Sequence, residues 1–257
     1  VETELKFPSF VLPPLYAPDS NEVENAIKLL SQYKKPLVIV GKGCAYGRAE
    51  SQVREFINST GIPFLPTPMG KGVVQDSHAL NISAARSTAL KEADLIILLG
   101  ARLNWILHFG LPPRFNKDVK LIQVDVCPEE IGHNVEATAR LVGDMKLSMS
   151  ELNKRVRGKV SCSEWISKLS GISHKNKEIN QKLMAETVVP MTYYSSYEVI
   201  RKYIPQEAIL VGEGANTMDI GRTVFEHEQP RRKLDAATFG TMGIGLPAVL
   251  SGRSCHP

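Results

Sequence analysis

Short apolar segments alternate with helical patterns between about residues 20 and 155, and this alternation most constrains the fold. The segments "DLIILLGAR" (94–102) and "LIQVDV" (121–126) are continuous apolar runs, which is typical of strands buried on both faces of a sheet. Further strands are predicted in "KPLVIV", "IPFLPTP" (62–68) and "ARLVGD" (139–144). Helices are predicted in "EVENAIKLLSQY", capped by Asp19 and Ser20, in "AESQVREFINST" and in "AARSTALKEA" (84–93). This order predicts an α/β fold with a doubly wound parallel sheet.

Changes in composition predict four parts. The Pro-rich residues 1–19 are interpreted as an extended linker that arrives from elsewhere, and residues 20–155 form the first α/β domain. Residues 156–189 are rich in Lys, Ser and Glu and are interpreted as surface helices of an interdomain connector. A second α/β domain begins near residue 190, because "EAILVGEGANTMDIGR" repeats the order of strand, Gly-rich loop and helix.

The overall composition excludes several classes of protein. A formal charge of +4 favours anionic ligands but is too mild for a nucleic-acid-binding protein. The longest apolar runs are too short to span a membrane, and no secretory signal is visible. The four cysteines form no CxxC pair, which argues against a zinc site and a disulfide framework and fits a reducing compartment: Cys44, Cys127, Cys162 and Cys255.

Loops at the carboxyl ends of the predicted strands carry the candidate ligand-binding residues of the first domain. The G-x-G of "GKGCAYG" (41–47) could bring Gly41 close to a phosphate with Lys42 beside it, or could simply form a tight turn. The acidic residue that a dinucleotide fingerprint requires after the next strand is absent, which disfavours an NAD-dependent enzyme. Arg102, just after a buried strand, suits a diphosphate.

Two aspartates and one histidine in these loops leave alternatives open. Asp125 is placed to bind a ribose, or is a turn or helix-capping residue, and Asp144 carries the same ambiguity. His108 has no evident acidic partner and is interpreted as a structural or interface residue. In the second domain, two Gly-rich loops suggest a ligand with a diphosphate and a ring: "GEGANTMDIGR" (212–222) and "FGTMGIG" (239–245).

These motifs together resemble the thiamine-diphosphate-dependent decarboxylases, lyases and synthases. "GKG", "GARLNW", "QVDV", "EEIG" and "VGD" occur in the order typical of the branch that contains oxalyl-CoA decarboxylase and 2-hydroxyacyl-CoA lyase. "EGANTMDIGR" and "LDAATFGTMGIGLP" resemble the start of the cofactor-binding C-terminal domain of that branch. "FLPTPMGKGVV" and "NWILHFGLPPRF" are most similar to 2-hydroxyacyl-CoA lyases. The resemblance assigns residues 20–155 to the central domain and residues 190–257 to a truncated C-terminal thiamine-diphosphate-binding domain.

The resemblance implies cleavage of a 2-hydroxyacyl-CoA to formyl-CoA and a shortened aldehyde, in peroxisomal fatty acid alpha-oxidation. It implies thiamine diphosphate and Mg²⁺ as cofactors, ADP or CoA in the central domain, and a homo-oligomer (dimer or tetramer) without nucleic acid or membrane. The implied nucleotide- or CoA-binding residues are Gly41, Lys42, Arg102, Asp125 and Asp144. The implied cofactor-binding residues are Tyr193, Ala215, Asn216, Thr217, Gly240, Thr241 and Met242, with Arg222 as a weaker candidate for substrate contact.

The sequence departs from the family pattern in ways that predict a fragment. The family's activating glutamate lies in a domain before this chain, and its "GDG/S" metal motif is not found, so we expect no catalytic and no metal-binding residue here. The tail "SGRSCHP" predicts a truncation and lacks a peroxisomal address, which leaves a cytoplasmic location open. We expect little lyase activity from the isolated chain. A non-catalytic ADP- or CoA-binding or assembly module and an oxalyl-CoA decarboxylase-like enzyme remain as alternatives.

Overall fold

The computed structural model describes residues 14–255 of the chain, without the side chains of residues 253–255. The predicted linker at residues 1–19 therefore lies mostly outside the described residues, as do the tail residues His256 and Pro257. The strands are β1 (Pro36–Val40), β2 (Phe64–Pro66), β3 (Leu95–Leu99), β4 (Lys120–Asp125), β5 (Ala139–Val142), β6 (Leu210–Gly212) and β7 (Lys233–Asp235). The helices are α1 (Ser20–Gln32), α2 (Lys42–Tyr46), α3 (Glu50–Thr60), α4 (Arg86–Glu92), α5 (Met145–Arg155), α6 (Ser163–Met184), α7 (Tyr193–Arg201), α8 (Asn216–Val224) and α9 (Gly245–Cys255).

The first five strands form one parallel sheet in the order β2-β1-β3-β4-β5. The chain moves outward from β1 to β2, and then crosses back to place β3 on the other side of β1. The strand order therefore reverses between β1 and β3, which is where open α/β sheets bind ligands. The predicted doubly wound parallel sheet is confirmed.

Both faces of this sheet are covered by helices. Side chains alternate along each buried strand, so successive residues pack into different cores. In β1, Val38 and Val40 pack into a core with α1, α3 and α5, whereas Leu37 and Ile39 pack into a second core with α4 and α6. All five residues of β1 and of β3 are buried, which explains their continuous apolar sequences.

The structure corrects the interpretation of residues 156–189 as a connector of surface helices. Helix α6 packs on the central sheet through Trp165, Leu169 and Ser173, which are buried and spaced four residues apart. The Trp165 indole donates a hydrogen bond of 3.0 Å to the carbonyl of Pro36 at the start of β1. The charged composition comes from the outer face of the helix. The three buried residues are too few to change that composition.

The second α/β unit contains the two-stranded parallel sheet β6-β7 with α7, α8 and α9. Buried charged groups join it to the central sheet. The Lys71 ammonium lies 2.9 Å from the Asp76 carboxylate and donates to the carbonyls of Arg222 and Phe225. Asp76 also accepts a hydrogen bond from the backbone N–H of His227.

Candidate functional site

The loops after β1 and β3 pack directly against each other at the point where the strand order reverses. A Cβ atom on Gly41 would lie 2.0 Å from the carbonyl oxygen of Gly100, so only glycine allows this approach. The N–H groups of Gly41 and Gly43 donate to the carbonyls of Leu99 and Gly100, at 2.8 and 3.0 Å. Gly41 therefore shapes the site, and its amide is already engaged by the protein.

A cavity of about 250 Å³ opens beside these loops, at the carboxyl ends of β1, β3 and β4. Three residues singled out from the sequence line it: Lys42, Arg102 and Asp125. The predicted loop at Lys42 is a short helix, α2, which places Lys42 at the start of its first turn. The fold thus brings two cationic side chains and one carboxylate to a single concave surface.

Arg102 and Asp125 keep hydrogen-bonding capacity for a ligand. The Arg102 guanidinium is half exposed and contacts Glu130 through Nε at 3.1 Å, which leaves its terminal N–H groups open. The Asp125 carboxylate is buried, and its Oδ1 accepts the N–H of Cys127 at 2.9 Å. This contact matches the interpretation of Asp125 as a turn residue. Its Oδ2 accepts no hydrogen bond from any other residue in the described part of the chain, and so stays available.

Asp144 occupies a different position. Its side chain accepts the N–H of Leu147 at 3.0 Å and caps the N-terminus of α5, as the capping alternative predicted. Asp144 follows β5 and does not line the cavity. Of the five candidate nucleotide-binding residues, three line the cavity, Gly41 supports its wall and Asp144 lies outside it.

The opposite wall of the cavity comes from the second α/β unit. It is lined by Asp235, Ala237 and Thr238. The side-chain amide of Asn104, from the central domain, donates a hydrogen bond of 3.0 Å to the hydroxyl of Thr238. The indole N–H of Trp105 donates a hydrogen bond of 2.6 Å to the carbonyl of Thr238. Asn104 and Thr238 were not predicted as site residues, although each lies within a motif that carries the family resemblance.

The segment after Asn104 has an unusual backbone. His108 and Phe109 are consecutive non-glycine residues with positive φ angles of 50° and 57°. Such residues are uncommon and concentrate at functional sites. Burial, together with the charges of Arg86 and Arg114, lowers the pKa of His108, which favours its neutral form.

The two Gly-rich loops of the second unit are linked by Glu213, a residue that the sequence did not single out. Its carboxylate accepts the N–H groups of Gly243 and Gly245, at 2.7 and 2.5 Å. These two hydrogen bonds lower the pKa of Glu213, because they stabilise the charged carboxylate. Glu213 therefore joins the loops 212–222 and 239–245.

The candidate cofactor residues lie around this linkage. Ala215 caps α8 and Asn216 begins it, while the Thr217 hydroxyl donates to the carbonyl of Glu213. Tyr193 is half exposed at the start of α7. On the same helix, the Tyr197 hydroxyl donates a hydrogen bond of 2.9 Å to the carbonyl of Thr217.

The second Gly-rich loop presents open apolar side chains. Gly240 has a left-handed backbone, Thr241 is exposed, and the Met242 and Phe239 side chains are 74% and 94% exposed. Arg222, the candidate for substrate contact, contacts Asp219 at 2.9 Å and Asp235 at 3.0 Å. Asp235 lines the cavity, whereas Arg222 does not line it and contacts it only through this ion pair.

Comparison with known proteins agrees with this architecture. The family described as thiamine pyrophosphate enzyme, central domain, matches residues 23–152, which hold the five-stranded sheet, the helices α2 to α4, and most of α1 and α5. The chain belongs to the thiamine pyrophosphate enzyme family. This family member therefore has the sheet order β2-β1-β3-β4-β5, with a cavity where the strand order reverses between β1 and β3.

Named relatives extend over nearly the whole chain. A 2-hydroxyacyl-CoA lyase 1 of Homo sapiens is 46% identical over 238 residues, which cover 91% of this chain and 41% of that protein. The Mus musculus 2-hydroxyacyl-CoA lyase 1 is 44% identical over 249 residues, 95% of this chain and 43% of that protein. An oxalyl-CoA decarboxylase of Escherichia coli (strain K12) is 39% identical over 238 residues, 91% of this chain and 42% of that protein. The chain spans less than half the length of these relatives.

The second unit fits part of a thiamine-diphosphate site. The exposed Met242 and Phe239 side chains suit a cofactor that contains two aromatic rings, and Glu213 holds the adjoining loop in place. Within residues 14–255, no group of three or more His, Cys, Asp or Glu residues is arranged to hold a metal ion. In the same part of the chain, no helix has the length and apolar character needed to cross a membrane.

Proposed function

We propose that this chain is part of a thiamine-diphosphate-dependent carbon–carbon lyase that acts on 2-hydroxyacyl-CoA. The proposal divides the chain into a central domain (20–155), the segment 156–189, whose helix α6 packs on the sheet of that domain, and the first part of the cofactor-binding domain (190–257). The lyases at 44% and 46% identity support the substrate class. The family resemblance further supports formyl-CoA and a shortened aldehyde as products, fatty acid alpha-oxidation in the peroxisome as the setting, and a homo-oligomeric enzyme.

The observation that carries the proposal is the cavity between the central sheet and the loop that leads to Gly240. Lys42 and Arg102 supply positive charge for the diphosphate of ADP or CoA, and Arg102 can bind it with two parallel N–H groups. Asp125 supplies a carboxylate oxygen for the ribose hydroxyls. Thr238 lies on the far wall, so a ligand bound here points toward the second Gly-rich loop.

In the second unit, Ala215, Asn216, Thr217 and the loop Gly240–Met242 would hold thiamine diphosphate, with Tyr193 nearby. When bound, this cofactor supplies a carbon nucleophile for attack on a thioester carbonyl. The chain orients that cofactor through Glu213, which fixes the loop, and through the apolar side chain of Met242. Mg²⁺, which the family uses, would have to be held mainly by residues other than those described.

Titration calorimetry of the purified chain with ADP, CoA and thiamine diphosphate plus Mg²⁺ tests the proposal. We expect ADP and CoA to bind, and Arg102→Ala to weaken both at least tenfold, because a charge-assisted contact to the diphosphate is lost. Arg140→Ala is the matched control, since Arg140 is also exposed and paired with a glutamate, Glu136, and lies outside the cavity. Equal affinities in the two variants would contradict the assignment of the cavity.

A second candidate function is a non-catalytic ADP- or CoA-binding or assembly module. It is supported by the cavity that Lys42, Arg102 and Asp125 line together, whereas the Met242 and Phe239 side chains are largely exposed. Binding of ADP or CoA without any thiamine diphosphate would support this candidate. The relative at 39% identity keeps an oxalyl-CoA decarboxylase-like substrate as an alternative within the first proposal.

A further inference from the structure

A second concave surface lies at the opposite end of β1 from the nucleotide cavity. It has a volume of about 970 Å³ and is bounded by the residues just before β1, the end of α3, and the segment between α5 and α6. The five residues of β1 separate the two surfaces by roughly 16 Å, at about 3.3 Å per residue. We refer to this surface, lined among others by Lys34, Thr60, Lys159 and Trp165, as the basic cleft.

The basic cleft carries positive charge that the protein neutralises only in part. One carboxylate, Glu164, lines the cleft together with six cationic residues: Lys28, Lys34, Lys35, Arg157, Lys159 and Lys168. Lys35 and Lys168 share Glu92, at 3.9 and 2.6 Å. Across residues 14–255, the side chains of the other four cations form no ion pair within 4.0 Å. The Asp94 carboxylate lies at the edge of the cleft, where it accepts the backbone N–H groups of Lys34 and Lys35 at 3.1 and 2.9 Å. Six cations against the three carboxylates Glu164, Glu92 and Asp94 leave an excess of three positive charges at the cleft.

The floor of the cleft is ordered and partly apolar. The Trp165 ring is buried and fixed by its hydrogen bond to Pro36, and the Lys35 ammonium lies 5.9 Å from the centre of that ring. The segment between α5 and α6 is anchored by the N–H of Val160, which donates a hydrogen bond of 2.8 Å to the carbonyl of Thr60. The cations thus surround a concavity whose walls are held by the fold.

We propose that the basic cleft binds a small anion that carries several phosphate groups. Unpaired like charges around a concave surface repel one another, and a multivalent anion removes that repulsion while each ammonium gains a partner. The volume of the cleft is in the range of small-molecule sites, which favours a compact ligand over a protein surface or a nucleic acid. This inference does not depend on the function proposed above.

Binding of inositol hexakisphosphate, measured by calorimetry at 50 and 300 mM NaCl, tests this proposal. We expect binding that weakens at least tenfold in Lys34→Glu/Lys159→Glu and that weakens at the higher salt concentration. Lys177→Glu/Lys182→Glu changes the net charge equally on the same helix as Trp165 but at least about 20 Å from its start, and is expected to bind as the wild type does. Equal weakening in both double variants, or no binding by the wild type, would overturn the proposal.

Two further measurements separate the loss of charge from its reversal and identify the source of the ligand. Lys34→Gln/Lys159→Gln removes the charges without reversing them, and should also lose affinity while its melting temperature without ligand stays within a few degrees of the wild type. Vesicles of phosphatidylcholine with and without a phosphoinositide distinguish a lipid headgroup from a free phosphate compound as the source of the ligand. Retained affinity in the neutralised variant would contradict the assignment of the cleft.

Discussion

At the scale of single residues, the site depends on contacts that allow almost no added volume. Gly41 has an ordinary backbone conformation, with φ of −95°, so the requirement for glycine comes from the nearby carbonyl of Gly100 and not from a turn. The sequence suggested both a phosphate-binding and a turn-forming role for this residue. The structure assigns it a third, close packing of two loops, which no local pattern could reveal.

Gly41→Ala should therefore destabilise the chain by about 2 kcal/mol, because the added methyl group must push apart two buried backbone segments. Gly171→Ala is the control, since this glycine lies within α6 and a Cβ there would meet nothing within 4 Å. That change should stabilise by about 0.5–1 kcal/mol through helix propensity. Urea denaturation measures both, and a neutral Gly41→Ala would contradict the packing described.

His227 makes the stability of the fold depend on pH. Burial, with the nearby charges of Lys71 and Lys233, lowers its pKa from 6.5 to about 3. Its Nε2 has no hydrogen-bond partner among residues 14–255. Because the folded state disfavours the protonated ring, the contribution to stability is complete above about pH 6.5 and is lost as the pH falls toward 3.

Between pH 6.5 and pH 5, this histidine should reduce the free energy of unfolding by about 2 kcal/mol, at 1.36 kcal/mol for each pH unit. His227→Phe should flatten that part of the pH profile in denaturant unfolding. His133→Phe, at an exposed position, is the control for replacing a histidine. An unchanged profile in His227→Phe would show that another group causes the acid sensitivity.

At the scale of elements, the central sheet was predictable and its outer helix was not. Continuous apolar runs identified β3 and β4, and Asp19 correctly marked the start of α1 through its cap. Helix α6 was misjudged because its three buried side chains are outnumbered by charged residues on the exposed face. Glu213 was missed for another reason, since its partners Gly243 and Gly245 are 30 and 32 residues away.

Trp165→Ala tests whether α6 is part of the central domain. Removing this buried ring and its hydrogen bond to Pro36 should cost about 3–5 kcal/mol in the free energy of unfolding. Ile179→Ala, on the same helix but 54% exposed, should change stability by less than about 0.5 kcal/mol. Similar small effects in both variants would restore the view of this segment as a loosely attached connector.

At the scale of the whole molecule, the two α/β units meet through buried charges and through one wall of the cavity at the carboxyl ends of β1, β3 and β4. Lys71 and Asp76 of the central domain contact the backbone of Arg222, Phe225 and His227 in the second unit. Removing one partner from a buried ion pair leaves the other charge without compensation, which is more costly than losing a surface pair.

Lys71→Met should consequently destabilise the chain by about 3–5 kcal/mol, since it leaves the buried Asp76 carboxylate without its counter-ion. Lys154→Met removes an exposed pair with Glu151 and should cost less than about 1 kcal/mol. Amide hydrogen exchange should show the largest loss of protection in α8 and β7. Equal loss across the five-stranded sheet would argue against a specific role at the junction.

We propose above all that the carboxyl edge of the five-stranded sheet is a nucleotide-binding site. A crystal structure of the chain grown with ADP tests it most directly. We predict the diphosphate against Lys42 and Arg102 and the ribose hydroxyls on Asp125 Oδ2, with Thr238 on the far wall. ADP bound in the basic cleft instead, or a carboxyl edge that stays free at saturating ADP, would contradict the claim.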